Sequence, residues 1–125
     1  MKGLQIIELK EAREDDRGKT FDIALNNSGA IMYNTRKQDT ISGRHYHTGK
    51  IGKNPEVILL LTGIVEVYAK DLNRKEEIRI VVNSPAKIEV FPFVWHEVKA
   101  LTDITFLELS SLEQHKQDTI KEMPA

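Results

Sequence analysis

Short runs in which apolar and polar residues alternate fill most of this 125-residue sequence, and turn-forming residues separate them. In residues 20–25, Phe21, Ile23 and Leu25 alternate with Asp22 and Ala24. A period of two is typical of a strand with one buried face. Other runs of strand length occupy residues 4–9, 30–36, 39–42, 64–69, 77–82 and 87–91. No window shows a convincing period of 3.6, so the pattern predicts about nine or ten strands and an all-β fold.

Several segments predict how these strands connect. Residues 4–9 lean apolar and predict an edge strand, whereas residues 56–61 are almost continuously apolar and predict a central strand covered on both faces. Residues 96–101 and 104–109 are predicted to pair as a hairpin across Thr102 and Asp103. Residues 14–18 are predicted to be a polar turn, and residues 113–125 a polar tail. A jelly roll fits this order best, as a single domain over residues 1–125.

Composition narrows the classes of function. The formal net charge is -1, and charges of both signs are interspersed, so nothing predicts binding to nucleic acid or to an anionic membrane. The sequence has no cysteine, which excludes disulfides and thiol nucleophiles. No apolar run reaches the roughly 20 residues of a membrane-spanning helix. The N-terminal residues lack the pattern of a signal peptide, so we expect a cytoplasmic protein.

The candidate chemistry is centred on three histidines and a carboxylate. His45 and His47 are two residues apart, so on a strand they share one face at about 7 Å between Cα atoms. Glu56 opens the next apolar run, and His96 follows a proline-containing turn. These four residues are the predicted ligands of a divalent metal ion, with zinc, manganese, iron and nickel all open. Alternatively, the histidines are interior or surface residues without an ion, or Lys53 rather than Glu56 lies near the site.

A histidine that does not bind metal could act as a base next to a carbonyl carbon. We predict that His47 moves this proton, and that the metal ion, or His45 and His96 jointly, polarises the carbonyl oxygen. Tyr68 is a candidate acid only if its hydroxyl reaches the cavity, and the commoner role of such a tyrosine is packing on a sheet surface. The same condition applies to Tyr33. His115 lies in the polar tail and is expected to be solvated.

Basic and aromatic residues near these positions could bind a substrate. Arg36, Arg44 and Lys50 flank the histidine strand and could hold a diphosphate through charge-assisted hydrogen bonds, or could form a solvated face. Trp95 could stack on a sugar or base, or belong to the core. Glu108 lies in an otherwise apolar run and either faces solvent or lines the cavity.

The sequence resembles the cupin superfamily in two motifs. The first cupin motif consists of a glycine, an HxH pair, a carboxylate and a second glycine, here Gly43, His45, His47, Glu56 and Gly63, with a longer loop before the carboxylate. The second motif, a proline-containing turn followed by a histidine, is matched by residues 91–96, without the usual glycine. The resemblance implies a jelly-roll barrel with a metal ion or a catalytic histidine at its mouth.

Within the cupins, three further segments resemble enzymes that act on nucleotide sugars. Residues 15–18 with Phe21 resemble a segment near the start of deoxysugar epimerases and ketoisomerases. Residues 43–50 are similar to the histidine strand of capsular-polysaccharide reductase/epimerases, and residues 118–120 to the closing strand of that group. The resemblance implies a homodimer that epimerises or isomerises a nucleotide-diphosphate keto-sugar. A metal-dependent dioxygenase and a non-catalytic sugar-binding or small-molecule-binding cupin are the alternatives.

Overall fold

A computed structural model describes residues 1–9, 11–16, 18–21, 29, 31–50 and 54–122. These residues form eleven strands and one short helix: β1 (Leu4–Glu8), β2 (Glu11–Asp15), β3 (Gly18–Phe21), β4 (Met32–Arg36), β5 (Ile41–His45), β6 (Glu56–Thr62), β7 (Ile64–Asp71), β8 (Glu76–Asn83), β9 (Ala86–Val90), β10 (Val94–Ala100), β11 (Ile104–Glu108) and α1 (Leu112–Gln117). The all-β fold predicted from the sequence is confirmed.

Two antiparallel sheets form the body of the fold. One has the order β1-β9-β6-β11-β4 and the other the order β5-β10-β7-β8, while β2 and β3 pair separately. The inner faces of the two sheets share one apolar core. Val65, Val67 and Ala69 of β7 are fully buried there, together with Leu60 and Ile88 from the opposite sheet. Removal of this apolar surface from water is the main force that holds the sheets together.

Strand β6 lies at the middle of the five-stranded sheet, as its continuous apolar run predicted. Ile58 and Leu60 face the main core, and Val57 and Leu59 form a second apolar cluster with Leu109 on the other face. Both faces of the strand are therefore covered. The prediction that residues 4–9 form an edge strand is also confirmed, because β1 is the terminal strand of this sheet.

The predicted hairpin between residues 96–101 and 104–109 is wrong. Strand β10 pairs with β5 and β7, whereas β11 pairs with β4 and β6 in the other sheet. The chain therefore changes sheets at Thr102 and Asp103. It also changes sheets at Gly63, between β6 and β7, where φ is +93° and a Cβ would clash with the carbonyl oxygen of Asp103. The two places where the chain changes sheets pack against each other. The sequence does not show this, because each of them looks like an ordinary short turn.

Two elements differ from the sequence-based prediction of local structure. Strand β2 occupies part of the segment predicted as a turn, and β3 begins at Gly18, so the turn between them is tighter. Helix α1 lies largely in the segment predicted as a polar tail, and Ser111 and Gln114 form a capping box at its start. Six helical residues are too few to show a period of 3.6. Arg17, Lys53 and the end of the strand predicted at residues 20–25 lie outside the described residues. Within the part of the chain that the structure describes, no helix is long and apolar enough to cross a membrane.

Candidate active site

The structure brings together the four residues predicted as metal ligands. One nitrogen or oxygen atom from each of them lies within 4.8 Å of all the others. All four side chains are buried, His47 and His96 to within 2% of full burial. The four residues, hereafter the histidine cluster, are His45, His47, Glu56 and His96. Because β5 and β10 belong to one sheet and β6 to the other, the histidine cluster joins the two sheets at one end of the core.

A β-bulge aims His45 into the histidine cluster. His96 of β10 pairs with His45 of β5, and the next residue, Glu97, pairs with Gly43. Arg44 is therefore an extra residue on β5. Gly43 has a φ of +89°, and a Cβ there would lie 2.9 Å from the carbonyl oxygen of His96. A bulge of this kind shifts the alternation of side chains by one residue. Ser42 and His45 consequently both line the cavity, although they are three residues apart.

His47 is oriented from the C-terminal part of the chain. Its Nδ1 atom lies 2.5 Å from the backbone carbonyl oxygen of Asp118. Because a carbonyl oxygen only accepts hydrogen bonds, Nδ1 carries a proton and donates it. The other ring nitrogen, Nε2, lies 2.6 Å from Oε2 of Glu56. The ring centroids of His45 and His47 are 4.7 Å apart, although β5 itself ends at His45.

His96 has the same arrangement. Its Nδ1 donates to the carbonyl oxygen of Val94 at 2.9 Å, and its Nε2 lies 3.3 Å from Oε2 of Glu56. Burial by itself lowers the pKa of His96, but the nearby Glu56 carboxylate and the hydrogen bond to the Val94 carbonyl outweigh burial and raise the pKa overall. Glu56 therefore faces two imidazoles whose outer nitrogens are each fixed by a backbone carbonyl.

This donor set fits a cation. The Nε2 atoms of His47 and His96 are buried and make no well-formed hydrogen bond within the described residues. A neutral imidazole protonated on Nδ1 presents a lone pair on Nε2, and that lone pair would repel a carboxylate oxygen at 2.6 Å. A proton or a metal cation between the two removes the repulsion. Imidazole and carboxylate are ligands of zinc, manganese, iron and nickel, so these residues fit the divalent ion expected from the sequence.

His45 differs from its neighbours in charge. Burial, and secondarily the nearby His96, lower its pKa to about 3. The imidazole is therefore neutral at physiological pH, which is the form that binds metal ions. It is also a weak base in this environment, so its chemistry favours metal binding over proton abstraction.

A small cavity extends from the histidine cluster into the core. Its volume is about 30 Å³, enough for an ion with a water molecule rather than for a whole sugar. His45, Glu56 and His96 line one side, and the remaining lining is mostly apolar. Glu108 also lines this cavity, so of the two positions considered for it the interior one is correct. A second carboxylate therefore reaches the space beside the histidine cluster.

The expectation that His115 is solvated is wrong. The residue lies on α1, and its ring centroid is 5.2 Å from that of His45 and 5.6 Å from that of His47. Its Nδ1 atom is 3.8 Å from Oε2 of Glu108. The helix folds the polar tail back over the histidine cluster. Sequence reasoning missed both this contact and Asp118, and the capping box at Ser111 is the local signal that a helix exists there.

The predicted substrate-binding residues lie in different places. Arg36 donates through Nε to Ser42 at 2.9 Å and lies over the ring of Phe106, and both of these partners line the cavity. Arg44, the extra residue of the bulge, is exposed and lies 3.8 Å from Glu97. Lys50 is exposed and donates its backbone N–H to Asp118. Only Arg36 of the three contacts the wall of the cavity among the described residues.

The structure does not bring Tyr68 or Trp95 to the histidine cluster. Tyr68 alternates with the buried Val67 and Ala69 on β7, so its ring lies on the outer face of the sheet. Its hydroxyl donates to Glu77 at 2.6 Å, and the condition for a catalytic role is not met. Trp95 is buried, but strand alternation places it on the face of β10 opposite to His96. Tyr33 is 65% exposed to solvent, so it does not meet the condition for a role in the cavity either.

No protein-family model matches the chain, and no curated protein sequence is significantly similar to it. Solved structures are similar over almost its whole length. A double mutant of the QdtA 3,4-ketoisomerase from Thermoanaerobacterium thermosaccharolyticum, in complex with TDP, has 25% sequence identity and a TM-score of 0.76, over 98% of this chain and 89% of that chain. A single mutant of the same ketoisomerase, in complex with TDP-4-keto-6-deoxyglucose, has 21% identity and a TM-score of 0.75, with the same coverage.

A second type of sugar-nucleotide enzyme is similar in fold. The dTDP-4-dehydrorhamnose 3,5-epimerase from Sulfolobus tokodaii has 16% identity and a TM-score of 0.65, over 86% of this chain and 69% of that chain. The resemblance stated from the motifs is thereby confirmed: this chain has the cupin jelly-roll fold of nucleotide-sugar ketoisomerases and epimerases.

Proposed function

We propose that this protein isomerises or epimerises a keto-sugar attached to a nucleoside diphosphate. The observation that carries the proposal is the buried histidine cluster, in which two imidazoles with fixed outer nitrogens converge on one carboxylate. The similarity of nearly the whole chain to a 3,4-ketoisomerase supports the same reaction class. Both ketoisomerisation and epimerisation begin by removal of a proton from a carbon next to a carbonyl group, so one cluster can serve either reaction.

His45, Glu56 and His96 would hold a divalent metal ion, with His47 as a fourth ligand or as the adjacent base. When bound, such an ion polarises the keto oxygen of the substrate as a Lewis acid. The neutral state of His45 and the convergence of His96 on Glu56 suit this role. A catalytic ion also needs an open coordination position for substrate, which argues for three protein ligands rather than four.

His47 is the residue best placed to carry the proton. Its Nδ1–H is held by the Asp118 carbonyl, so only Nε2 is available to accept a proton. Glu56 lies 2.6 Å from this nitrogen and would stabilise the imidazolium that forms. In an epimerisation, His47 would remove the proton from one face of the carbon, and a donor on the opposite face, a second residue or a water molecule, would supply a proton there. In a ketoisomerisation His47 would return the proton to the neighbouring carbon, while a second proton moves between the two sugar oxygens.

Arg36 is the proposed contact for the diphosphate. Its guanidinium lies beside Ser42 and Phe106 at the wall of the cavity and can form charge-assisted hydrogen bonds with phosphate oxygens. Arg44 and Lys50 are on the exposed surface beside the histidine cluster and are secondary candidates. Trp95 and Tyr68 are not proposed as substrate-binding or catalytic residues, because neither side chain lies at the histidine cluster. The homodimer implied by the resemblance is a separate proposal, which sedimentation velocity of the purified protein would test.

Deuterium exchange tests the reaction. The purified protein is incubated in deuterated water with TDP-4-keto-6-deoxyglucose and with related nucleoside-diphosphate 4-keto-sugars, and label in the sugar is followed by NMR and mass spectrometry. We expect deuterium at a carbon next to the carbonyl, with a loss of roughly 10²–10⁴-fold in His47→Gln. Glu97→Gln, on the outward face of β10, is the matched control. Absence of exchange across the panel would refute the proposed function.

Metal and oxygen measurements separate the alternatives. Elemental analysis of protein purified without added metal, and again after loading and desalting, is expected to find about one divalent ion per chain. Exchange activity in protein that retains no metal would refute the ion but leave the reaction class intact. Oxygen uptake with the same sugars would indicate a dioxygenase instead. Tight binding of the sugar nucleotide without turnover would indicate a non-catalytic binding protein.

A further inference from the structure

Asp118 connects the C-terminal segment to the loop that carries the histidine pair. We infer that Asp118 is a positioning residue: it holds residues 47–50 so that His47 keeps its proton on Nδ1 and presents Nε2 to Glu56. This inference rests on the proposed function for its kinetic consequence, although its central claim concerns the state of one imidazole and can be tested without substrate.

The carboxylate of Asp118 accepts four hydrogen bonds from this loop. Oδ1 accepts from the backbone N–H of Thr48 at 2.9 Å and from its hydroxyl at 2.7 Å. Oδ2 accepts from the backbone N–H of Gly49 at 2.9 Å and of Lys50 at 3.2 Å. Asp118 is 95% buried, so these are strong contacts in a site from which water is largely excluded.

The same residue orients His47 through its backbone. The Asp118 carbonyl accepts the Nδ1–H of His47. Tyr46, just before His47, and Ile120, two residues after Asp118, exchange two backbone hydrogen bonds of 3.0 and 2.9 Å, which hold the two segments together. The carboxylate and the carbonyl of one residue thus act on consecutive residues of the loop. Loss of the carboxylate hydrogen bonds to residues 48–50 would therefore also displace the Asp118 carbonyl from Nδ1 of His47.

Asp118 is needed because sheet pairing does not hold this loop. Strand β5 ends at His45, and in the described residues 46–50 that follow it, Tyr46 forms one bridge and the His47 carbonyl accepts one hydrogen bond, from the Phe93 N–H at 2.8 Å. The N–H groups of residues 48–50 would otherwise lack an acceptor in a partly buried place, which costs free energy. A single carboxylate satisfies all three. The burial of Asp118 itself raises its pKa, but these hydrogen bonds outweigh burial and lower the pKa overall, so the residue is charged at physiological pH.

Asp71 provides a matched control. It is also a buried aspartate, 3% exposed, and it holds the turn after β7 by accepting from the N–H groups of Asn73 and Arg74 and from the Arg74 guanidinium. It does not belong to the histidine cluster. Substitution of either aspartate removes several hydrogen bonds to a turn, but only substitution of Asp118 should alter His47.

The test compares Asp118→Asn with Asp71→Asn. Protein labelled with ¹⁵N-histidine is studied by long-range ¹H–¹⁵N NMR without metal, and the spectra report which nitrogen of His47 carries a proton. In the wild-type protein we expect Nδ1 of His47 to be protonated in every molecule, because the Asp118 carbonyl accepts that proton. In Asp118→Asn we expect a mixture of tautomers, because the new amide donates where Oδ2 accepted. Asp71→Asn should keep the wild-type His47 signals even though it unfolds more easily.

Metal affinity and kinetics provide the second measurement. The affinity for Co²⁺, followed by its absorption spectrum, should change little in Asp118→Asn, because His45, Glu56 and His96 are the proposed ligands. The kcat for deuterium exchange should fall by about 10–100-fold with little change in KM, the usual effect of losing a group that orients a functional side chain. Thr48→Val, which removes one hydrogen bond to Oδ1, should have a smaller effect in the same direction and serves if Asp118→Asn does not fold.

Two outcomes would overturn the inference. One is a folded Asp118→Asn protein, or Thr48→Val protein if that is the one that folds, whose His47 signals are those of the wild type. The other is an equal change in the Asp71→Asn protein, which would mean that any loss of stability disturbs the imidazole. If the wild-type protein shows no exchange with keto-sugars, the proposed function fails, while the NMR result still decides the role of Asp118.

Discussion

The inner and outer sides of the four-stranded sheet adjoin similar polar contacts in opposite surroundings. On the inner side, between the two sheets, Nε2 of His47 lies 2.6 Å from Glu56 of β6, and both side chains are at least 97% buried. On the outer face, the Tyr68 hydroxyl lies 2.6 Å from Glu77, and that pair is exposed. The distances are equal. What distinguishes the faces is water, which solvates and screens the outer pair and is largely excluded from the inner one.

This difference explains why proximity alone is a poor guide to function. The outer face carries a series of polar contacts, among them Arg44 with Glu97 at 3.8 Å and Arg79 with Glu66 at 3.4 Å. Contacts of this kind usually contribute less than about 1 kcal/mol, because solvent competes for both partners. The inner group cannot exchange its partners for water. Its protonation states and its affinity for a cation are therefore determined by the protein.

The largest expected effect is on the inner carboxylate. Glu56→Gln keeps the shape of the side chain but removes the charge that faces His47 and His96, so deuterium exchange into a keto-sugar should fall by roughly 10²–10⁴-fold. Glu77→Gln makes the same chemical change on the outer face and should leave the exchange rate unchanged. Equal effects of the two substitutions, measured by the NMR assay, would break the comparison between the faces.

Metal binding should stabilise only through the inner face. A ligand that binds the folded state alone at 100 times its Kd raises the free energy of unfolding by about 2.7 kcal/mol. We therefore expect thermal denaturation with added Zn²⁺ or Co²⁺ to shift upward in the wild-type protein and in Glu97→Gln, and a chelator to reverse the shift. His96→Gln should abolish the shift. An unchanged shift in that variant would place the ion elsewhere.

Asp71 tests whether hydrogen bonds stabilise a buried charge at a place where no ion is proposed. Burial raises its pKa, but the N–H groups of Arg74 and Asn73 and the Arg74 guanidinium outweigh burial and lower the pKa. Asp71→Asn should cost about 1–3 kcal/mol of unfolding free energy at neutral pH. A carboxyl whose pKa is lowered on folding adds stability at pH values above the pKa of the unfolded chain, and this stability is lost as the pH falls. The difference between the two proteins should therefore shrink as the pH is lowered from about 5 in urea titrations. A pH-independent difference would contradict this.

The smallest effect is expected on the outer face. Arg79 lies over the ring of Tyr68 at 4.4 Å and beside Glu66, with 63% of its side chain exposed. Arg79→Met should therefore change the free energy of unfolding by less than about 1 kcal/mol, and the change should vanish in high salt. Urea denaturation at low and high ionic strength measures it. A loss as large as that of Asp71→Asn would show that exposed pairs are not weak in this sheet.

The members of the histidine cluster could be predicted from the sequence because their spacing and residue types are local signals. The HxH pair marks one strand, Glu56 opens a central strand, and His96 follows a turn. The outward position of Tyr68 could also be predicted from the sequence, because Tyr68 shares a strand face with Glu66 and alternates with Val65 and Val67. That alternation already argued against a role in the cavity.

The rest depends on contacts between residues that are distant in the chain. Asp118 is 71 positions away from His47, and no pattern in residues 113–125 indicates that its carbonyl faces an imidazole. The bulge at Gly43 and Arg44 reverses the direction of side chains within a strand that reads as regular. The exchange of sheets at Thr102 and Asp103 is hidden because a turn that joins two sheets looks like a hairpin turn.

The distance between Asp118 and its partners has a consequence for synthesis of the protein. A ribosome adds about 5–20 residues per second, and the N-terminal part of a chain can begin to fold before the rest is made. The HxH pair is thus translated several seconds before the residue that holds it. During that interval the two imidazoles are exposed and unoriented, open to any metal ion nearby. The proposed ion could therefore meet the complete histidine cluster, with His47 held in place, only after Asp118 has been added to the chain.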